Sequence, residues 1–186
     1  MERARYLYTT GFFIDANFEA VKTVAEFATA NDKPFGLNLS AVFVVQFYME
    51  QVKKTLAHAD YVFCNEEEGS AFATAEGLEA SDRVGVAKIL ATFEKANANR
   101  PRTVIITQGA EPTIVVTGRP GEEPNVDLVD VPPIDKDSIV DTNGAGDSFV
   151  GGFFAALAQG DDLRAAVTKG NTLAGKVIQK SGCVFD

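Results

Sequence analysis

The chain has 186 residues, 46% hydrophobic and 23% charged, with a formal net charge of −9; this is the composition of a soluble globular protein long enough to bury a core as one domain. The negative balance argues against nucleic acid or an anionic membrane as partner, no apolar run has the length of a membrane span, and the N-terminus lacks the basic-then-apolar pattern of a signal peptide. Cys64 and Cys183 are too few for a disulfide framework or a zinc cluster, so the expected setting is reducing and cytoplasmic, with the nucleus also open.

Periodicity alternates between strand-like and helix-like runs along the chain. Tyr6 to Phe13 reads as a strand, and Asn17 or a neighbour caps a helix with Phe18, Val21, Val24, Ala25 and Phe27 on one face. Pro34 to Leu39 is the next strand and Val42 to Leu56 the next helix. Tyr61-Val62-Phe63 is a short buried strand, after which Asn65 opens another helix. A helix from about Ser81 to Lys95 precedes Thr103 to Thr107, the clearest strand. Thr113 to Thr117 and Val126 to Val131 form a meander, with turns at Gly109-Ala110 and Gly118-Arg119-Pro120-Gly121. Two helices follow, from about Ala145 to Ala158 and along the stripe from Leu163 to Ile178. Repeated β-α-β units imply a mostly parallel sheet with helices on both faces, whose ligands bind beyond the carboxyl ends of the strands. Phe12, Asn65, Thr107 and Asp147 all fall at or just after such ends in this reading. His58 is the single histidine, and its Ala-His-Ala-Asp surroundings offer neither a nucleophile nor a second metal ligand, so it is read as structural or solvated.

The most informative segment is Val140-Asp141-Thr142-Asn143-Gly144-Ala145-Gly146-Asp147. An extended apolar lead (Ser138-Ile139-Val140) runs into two glycines, an aspartate and then an apolar helix. A strand, a glycine turn and a helix N-terminus present backbone N–H groups to an anion. Asp147 in the helix's first turn is favoured as a carboxylate by the dipole. It could accept a hydroxyl proton beside a phosphate cradle. No Lys-Ser/Thr pair follows the glycines, which excludes a P-loop, and Phe149 stands where a dinucleotide fingerprint needs its third glycine. From Asp137 to Leu163 there is no Lys or Arg, so backbone dipoles and a metal would have to hold the anion. A tightly packed strand-to-helix turn with a surface acid fits the same local pattern. Asn65-x-x-Glu68 likewise reads as a capping box, and Phe12 as one core aromatic among 14 phenylalanines.

Asp141-Thr-Asn-Gly-Ala-Gly-Asp147 resembles the signature of the ribokinase-like (PfkB) carbohydrate kinases, with Asn143 in the form seen in the adenosine kinases among them. Gly11-Phe12-Phe13, Leu37-Asn38-Leu39-Ser40, Cys64-Asn65-Glu66-Glu67-Glu68, Thr107-Gln108-Gly109 and Ser181-Gly182-Cys183-Val184-Phe185 are similar in the same order. The resemblance covers essentially the whole chain and only the C-terminal part of such a kinase. It implies a three-layer α/β/α ribokinase-like fold without the N-terminal part and lid. Residues 1–186 would then be the ATP-binding and catalytic half. The implied reaction moves the ATP γ-phosphate to the 5′-hydroxyl of adenosine, as in purine salvage.

The resemblance also implies roles. Asp147 is the general base and Gly144, Ala145 and Gly146 form the anion hole. Asn65, Thr107, Gly109 and Asn171 serve ATP; Phe12 stacks on the acceptor's adenine, and Asn143 bonds its ribose. Glu68 organises Mg²⁺ through water, and Asp141 lies near a monovalent-cation (K⁺) site. Absent lid and strands imply weakened turnover, an exposed sheet edge and apolar surface, and self-association or pairing with an N-terminal portion. A sibling sugar or nucleoside kinase, and a catalytically silent nucleotide-binding module, are the alternatives.

Overall fold

The computed structural model of the protein describes residues 1–182; Cys183, Val184 and Phe185 of the closing motif lie outside the described residues. The elements, in order, begin with β1 (Leu7–Thr10), α1 (Phe12–Ala30), β2 (Phe35–Asn38), α2 (Val42–Phe47), α3 (Met49–Leu56) and β3 (Tyr61–Asn65). They continue with α4 (Glu66–Ala75), α5 (Arg83–Thr92), β4 (Arg102–Gln108), β5 (Glu111–Gly118), β6 (Asn125–Val129), α6 (Ala145–Gln159) and α7 (Leu163–Val177). A single 3₁₀ turn, Lys136–Ser138, lies between β6 and α6. The sheet runs β1-β2-β3-β4-β5-β6, parallel through β4 with Leu7 opposite Phe35, Leu37 opposite Val62 and Phe63 opposite Ile105. Only Gly109-Ala110 joins β4 to β5, so that pair turns back on itself, since a parallel crossover needs a dozen residues or more. No helix of the described residues is long and apolar enough to cross a membrane.

Two compact units make up the chain: Met1–Thr107 with Ile114–Asp127, and Gln108–Thr113 with Leu128–Asp186. The first unit has its core where β2, β3 and β4 meet the helices. Phe35, Leu37, Val62, Val104 and Ile106 line the strands, while Val21, Ala25, Val52, Leu56, Phe72 and Leu90 come from α1, α3, α4 and α5. These strands are apolar on both faces, as parallel strands covered by helices are.

This core also holds charge. Lys95 donates to Asp60 at 2.7 Å, with both side chains almost fully buried, and the Phe35 amide donates to the other Asp60 oxygen at 3.0 Å. Arg102 is completely buried. Its guanidinium donates to the carbonyls of Ala59 (3.1 Å), Leu90 (2.9 Å), Phe93 (2.7 Å), Leu56 (2.7 Å) and Glu94 (3.0 Å). Leu56 ends α3, and Leu90 and Phe93 lie at the end of α5, so one cation satisfies the exposed carbonyls of two helix C-termini.

His58 is structural. Its Nδ1 lies 2.8 Å from Thr29 Oγ1, tying the α3–β3 loop to α1. Burial, the largest influence, lowers its pKa from 6.5; Glu26 opposes this and Lys95 adds to it. The folded chain therefore resists a proton that the unfolded chain accepts. Stability from this source is present above the ordinary value and is lost as pH falls through 6.5 toward the folded value. His58→Gln, which retains a partner for Thr29, is expected to flatten that part of a Tm-against-pH curve; an unchanged slope would acquit His58.

Several elements differ from the sequence expectation. Phe12 and Phe13 open α1 rather than ending a strand, because the backbone at Gly11 is already helical (φ −61°, ψ −31°). The helix expected over Val42–Leu56 breaks at Tyr48, where φ −124°, ψ 29° leaves the helical region. Residues 138–140 form no strand: the amides of Val140 and Asp141 bond the Ile178 carbonyl at 2.8 and 3.2 Å instead of a neighbouring strand. Asp147 therefore follows a loop, whereas Asn65 and Thr107 stand at the ends of β3 and β4 and Phe12 comes just after the end of β1.

Candidate active site

The carboxyl ends of the parallel strands gather one group of candidate residues in the first unit. Asn65, the last residue of β3, is in register with Thr107 of β4, and Thr107 Oγ1 lies 3.5 Å from the Cys64 carbonyl. Asn65 also caps α4: its Oδ1 accepts from the Glu68 amide at 2.8 Å. The Glu68 carboxylate returns the bond, accepting from the Asn65 backbone amide (3.0 Å) and side-chain amide (3.0 Å). The capping box is complete. Glu68 is nevertheless buried. Burial, the largest influence, raises its pKa from 4.5, the Asn65 amide lowers it, and Glu67 and Glu66 raise it further. A carboxylate held at this disadvantage would gain from a nearby cation.

No group of three or more His, Cys, Asp or Glu among the described residues could enclose a metal ion. A hydrated magnesium needs no such cage; it keeps several waters and takes one or two carboxylates beside substrate phosphates. Glu68 fits that form of contact.

Phe12 is not a core residue. It is 52% exposed, and its ring lies 6.1 Å from that of Phe43, itself 41% exposed. Phe13 and Phe47 are exposed as well, so the apolar side chains of this unit are not all taken up by its core.

The second unit carries the glycine turn. Gly144 caps α6 at φ 76°, ψ 0° with no side-chain cap, a left-handed conformation that favours glycine. Its carbonyl accepts from the Ser148 amide at 2.9 Å, and the Ala145 amide bonds Thr142 at 3.3 Å. The amides of Gly146 and Asp147 belong to the helix's first turn, whose N–H groups have no intrahelical acceptor. A Cβ placed on Gly146 would meet nothing within 4 Å, so packing does not demand a glycine here. A bare backbone in front of free amides is the form of an anion cradle. Asp147 is exposed beside it in the first turn.

Asp141 shapes the turn from below. Its Oδ1 accepts from the Asn143 amide at 2.9 Å and its Oδ2 from the Gly182 amide at 3.4 Å, which gives this carboxylate a structural role whether or not a cation sits nearby. α6 rests on α7, and a Cβ on Gly170 would lie 2.8 Å from the Phe149 ring. Asn171 of α7 is buried: Thr113 donates to its Oδ1 at 2.9 Å, and its amide reaches the Asp130 carbonyl at 3.5 Å. The structure thus places Asn171 in a packing network rather than on an open face. Gly109 opens the β4–β5 turn at φ 60°.

The pfkB family carbohydrate kinase profile matches residues 1–186. The chain belongs to this family. Similar curated proteins include adenosine kinase 1 of Arabidopsis thaliana, 39% identical over 185 residues, which covers 100% of this chain and 52% of the relative. Adenosine kinase of Schizosaccharomyces pombe is 39% identical over 182 residues, 98% of this chain and 52% of that protein. Among solved structures, Anopheles gambiae adenosine kinase in complex with P1,P4-di(adenosine-5) tetraphosphate superposes with a TM-score of 0.91 at 38% identity. It covers 98% of this chain and 52% of its own. Schistosoma mansoni adenosine kinase in complex with 2-fluoroadenosine gives 0.91 at 31% identity, 100% of this chain and 53% of that one. The fold is therefore the α/β ribokinase-like fold, and the chain spans about half the length of the relatives it matches. Within this pfkB chain, reasoning from sequence missed Arg102, and it quoted Ser40 within the Leu37–Ser40 motif without giving it a role. A cation at the head of an apolar strand and a serine just past a strand end were the available signals.

Proposed function

We propose that this chain carries out, or contributes half of, the transfer of the γ-phosphate of ATP to the 5′-hydroxyl of adenosine, giving AMP and ADP. The observation that carries the reading is the α6 N-terminus: a glycine cap, an open backbone at Gly146 and a carboxylate in the first turn. In the second unit, Asp147 takes the hydroxyl proton, while the amides around Gly144, Ala145 and Gly146 stabilise charge on the transferring phosphoryl group. Asn143 bonds the ribose, and Asp141 would serve a monovalent cation such as K⁺. Gly109 and Asn171 serve the nucleotide, Gly109 through its turn and Asn171 by holding α7 in place.

In the first unit, Phe12 stacks on the acceptor's adenine. Thr107 and Asn65 meet the nucleotide, and Glu68 would hold Mg²⁺ through water. Magnesium, when bound, neutralises the ATP phosphates. The names of the similar proteins support adenosine as acceptor. The activity belongs to a cytoplasmic setting and to purine salvage.

The test is ADP release from ATP-Mg by the purified chain, with and without adenosine, ribose or fructose. Adenosine-dependent release supports the reading. A sugar outpacing adenosine would reassign the acceptor. ATP binding with no release under any condition would reduce the chain to a nucleotide-binding module, to be retested beside an added N-terminal half.

A further inference from the structure

The short turn that carries Phe12 is set apart from the helix it opens. α1 loses helical geometry at Asn17 (φ −162°, ψ 84°), so Phe12–Ala16 is one turn followed by a separate, longer helix. Two polar ties hold it. At its start, the Gly11 amide donates to Ser40 Oγ at 2.9 Å. The approach is so close that a Cβ on Gly11 would lie 2.3 Å from the Leu39 carbonyl oxygen. Ser40 reaches this position in the left-handed region, at φ 69°, which is strained for a serine and persists where surroundings impose it. Those surroundings are Asn38, whose Oδ1 accepts from the Ser40 amide at 2.9 Å and whose carbonyl accepts from Ser40 Oγ at 3.2 Å. At the other end of the turn, the Tyr48 hydroxyl donates to the Asp15 carboxylate. Tyr48 stands at the break between α2 and α3, so both local irregularities serve one segment.

We propose that Ser40 and Tyr48 are positioning residues that fix the Phe12 turn as a platform for the acceptor's base. This rests on the reading that Phe12 stacks on that base. Buried Ile14 anchors the turn without setting its orientation, because apolar packing is non-directional. The two hydrogen bonds supply direction.

The experiment compares wild type, Ser40→Ala, Ser40→Gly, Tyr48→Phe and Phe12→Ala by residue-resolved amide exchange and by calorimetric binding of adenosine and of ATP-Mg. Removing either tie is expected to speed exchange of the Ile14, Asp15 and Ala16 amides by roughly tenfold, with residues 18–30 unchanged, as for a local opening. Adenosine affinity should fall by up to about tenfold, the scale of one aromatic stack, with ATP-Mg affinity unchanged. Ser40→Gly relieves the strained φ without restoring the hydroxyl and should match Ser40→Ala; wild-type exchange in that variant overturns the role of Ser40. Exchange that rises equally along all of α1, or not at all, overturns the tethering proposal. Adenosine binding unaffected by Phe12→Ala overturns the stacking reading instead, whatever the exchange data show.

Discussion

Asp147→Asn is expected to lower adenosine-dependent ADP release by on the order of 10²–10⁴-fold, the usual contribution of a positioned general base. Asparagine keeps the size and the hydrogen-bonding reach of the side chain and removes its ability to take a proton. Asp147 is exposed in the first turn of α6, so the fold loses only a charge–dipole interaction of about 0.3–1 kcal/mol. The variant should therefore stay folded and bind ATP-Mg as before, with the loss confined to kcat. Rate assays beside a melting curve decide the point. Turnover within a few-fold of wild type would remove Asp147 from the reaction, and an equal loss of ATP affinity would recast it as a binding residue.

The order of elements was legible because apolar period changes from two to 3.6 along the chain, and parallel strands covered by helices show as short apolar blocks. What was not legible came from distant contacts. Phe12 and Phe13 look like the end of a strand, but the close approach of Leu39 and Ser40 to Gly11 turns the chain into helix there. Residues 138–140 have strand-like composition, yet their amides meet the Ile178 carbonyl and no sheet. The glycine turn could be read directly, since its cap, open backbone and acid are contiguous. The capping geometry of Asn65 and Glu68 could also be read, being local. The tie between Tyr48 and Asp15 spans 33 residues and that between Ser40 and Gly11 spans 29, beyond any pattern of spacing.

The same limit hid Arg102, whose removal carries the largest expected loss of stability. Burial lowers its pKa from the ordinary guanidinium value to about 10, with Asp60 opposing the shift. Below about pH 10 it is protonated folded or unfolded, so its contribution is constant through the physiological range. Desolvating a guanidinium is costly, and here five carbonyl contacts offset the cost. Arg102→Met fills part of the volume and donates nothing. It leaves the buried Ala59, Leu56 and Leu90 carbonyls without their donor, a loss of about 3–5 kcal/mol at about 1–3 kcal/mol for each unsatisfied buried group. Against a total of about 5–15 kcal/mol for a folded domain, such a variant should lose a large share of its stability and unfold at a clearly lower urea concentration. Urea unfolding checks this. Arg102→Lys should recover only part of the loss, because an ammonium cannot serve the fork of carbonyls that the planar guanidinium reaches. A midpoint unmoved in Arg102→Met would mean that water or a neighbouring amide satisfies these carbonyls, and the buried cation would lose its claim to hold the two helix ends together.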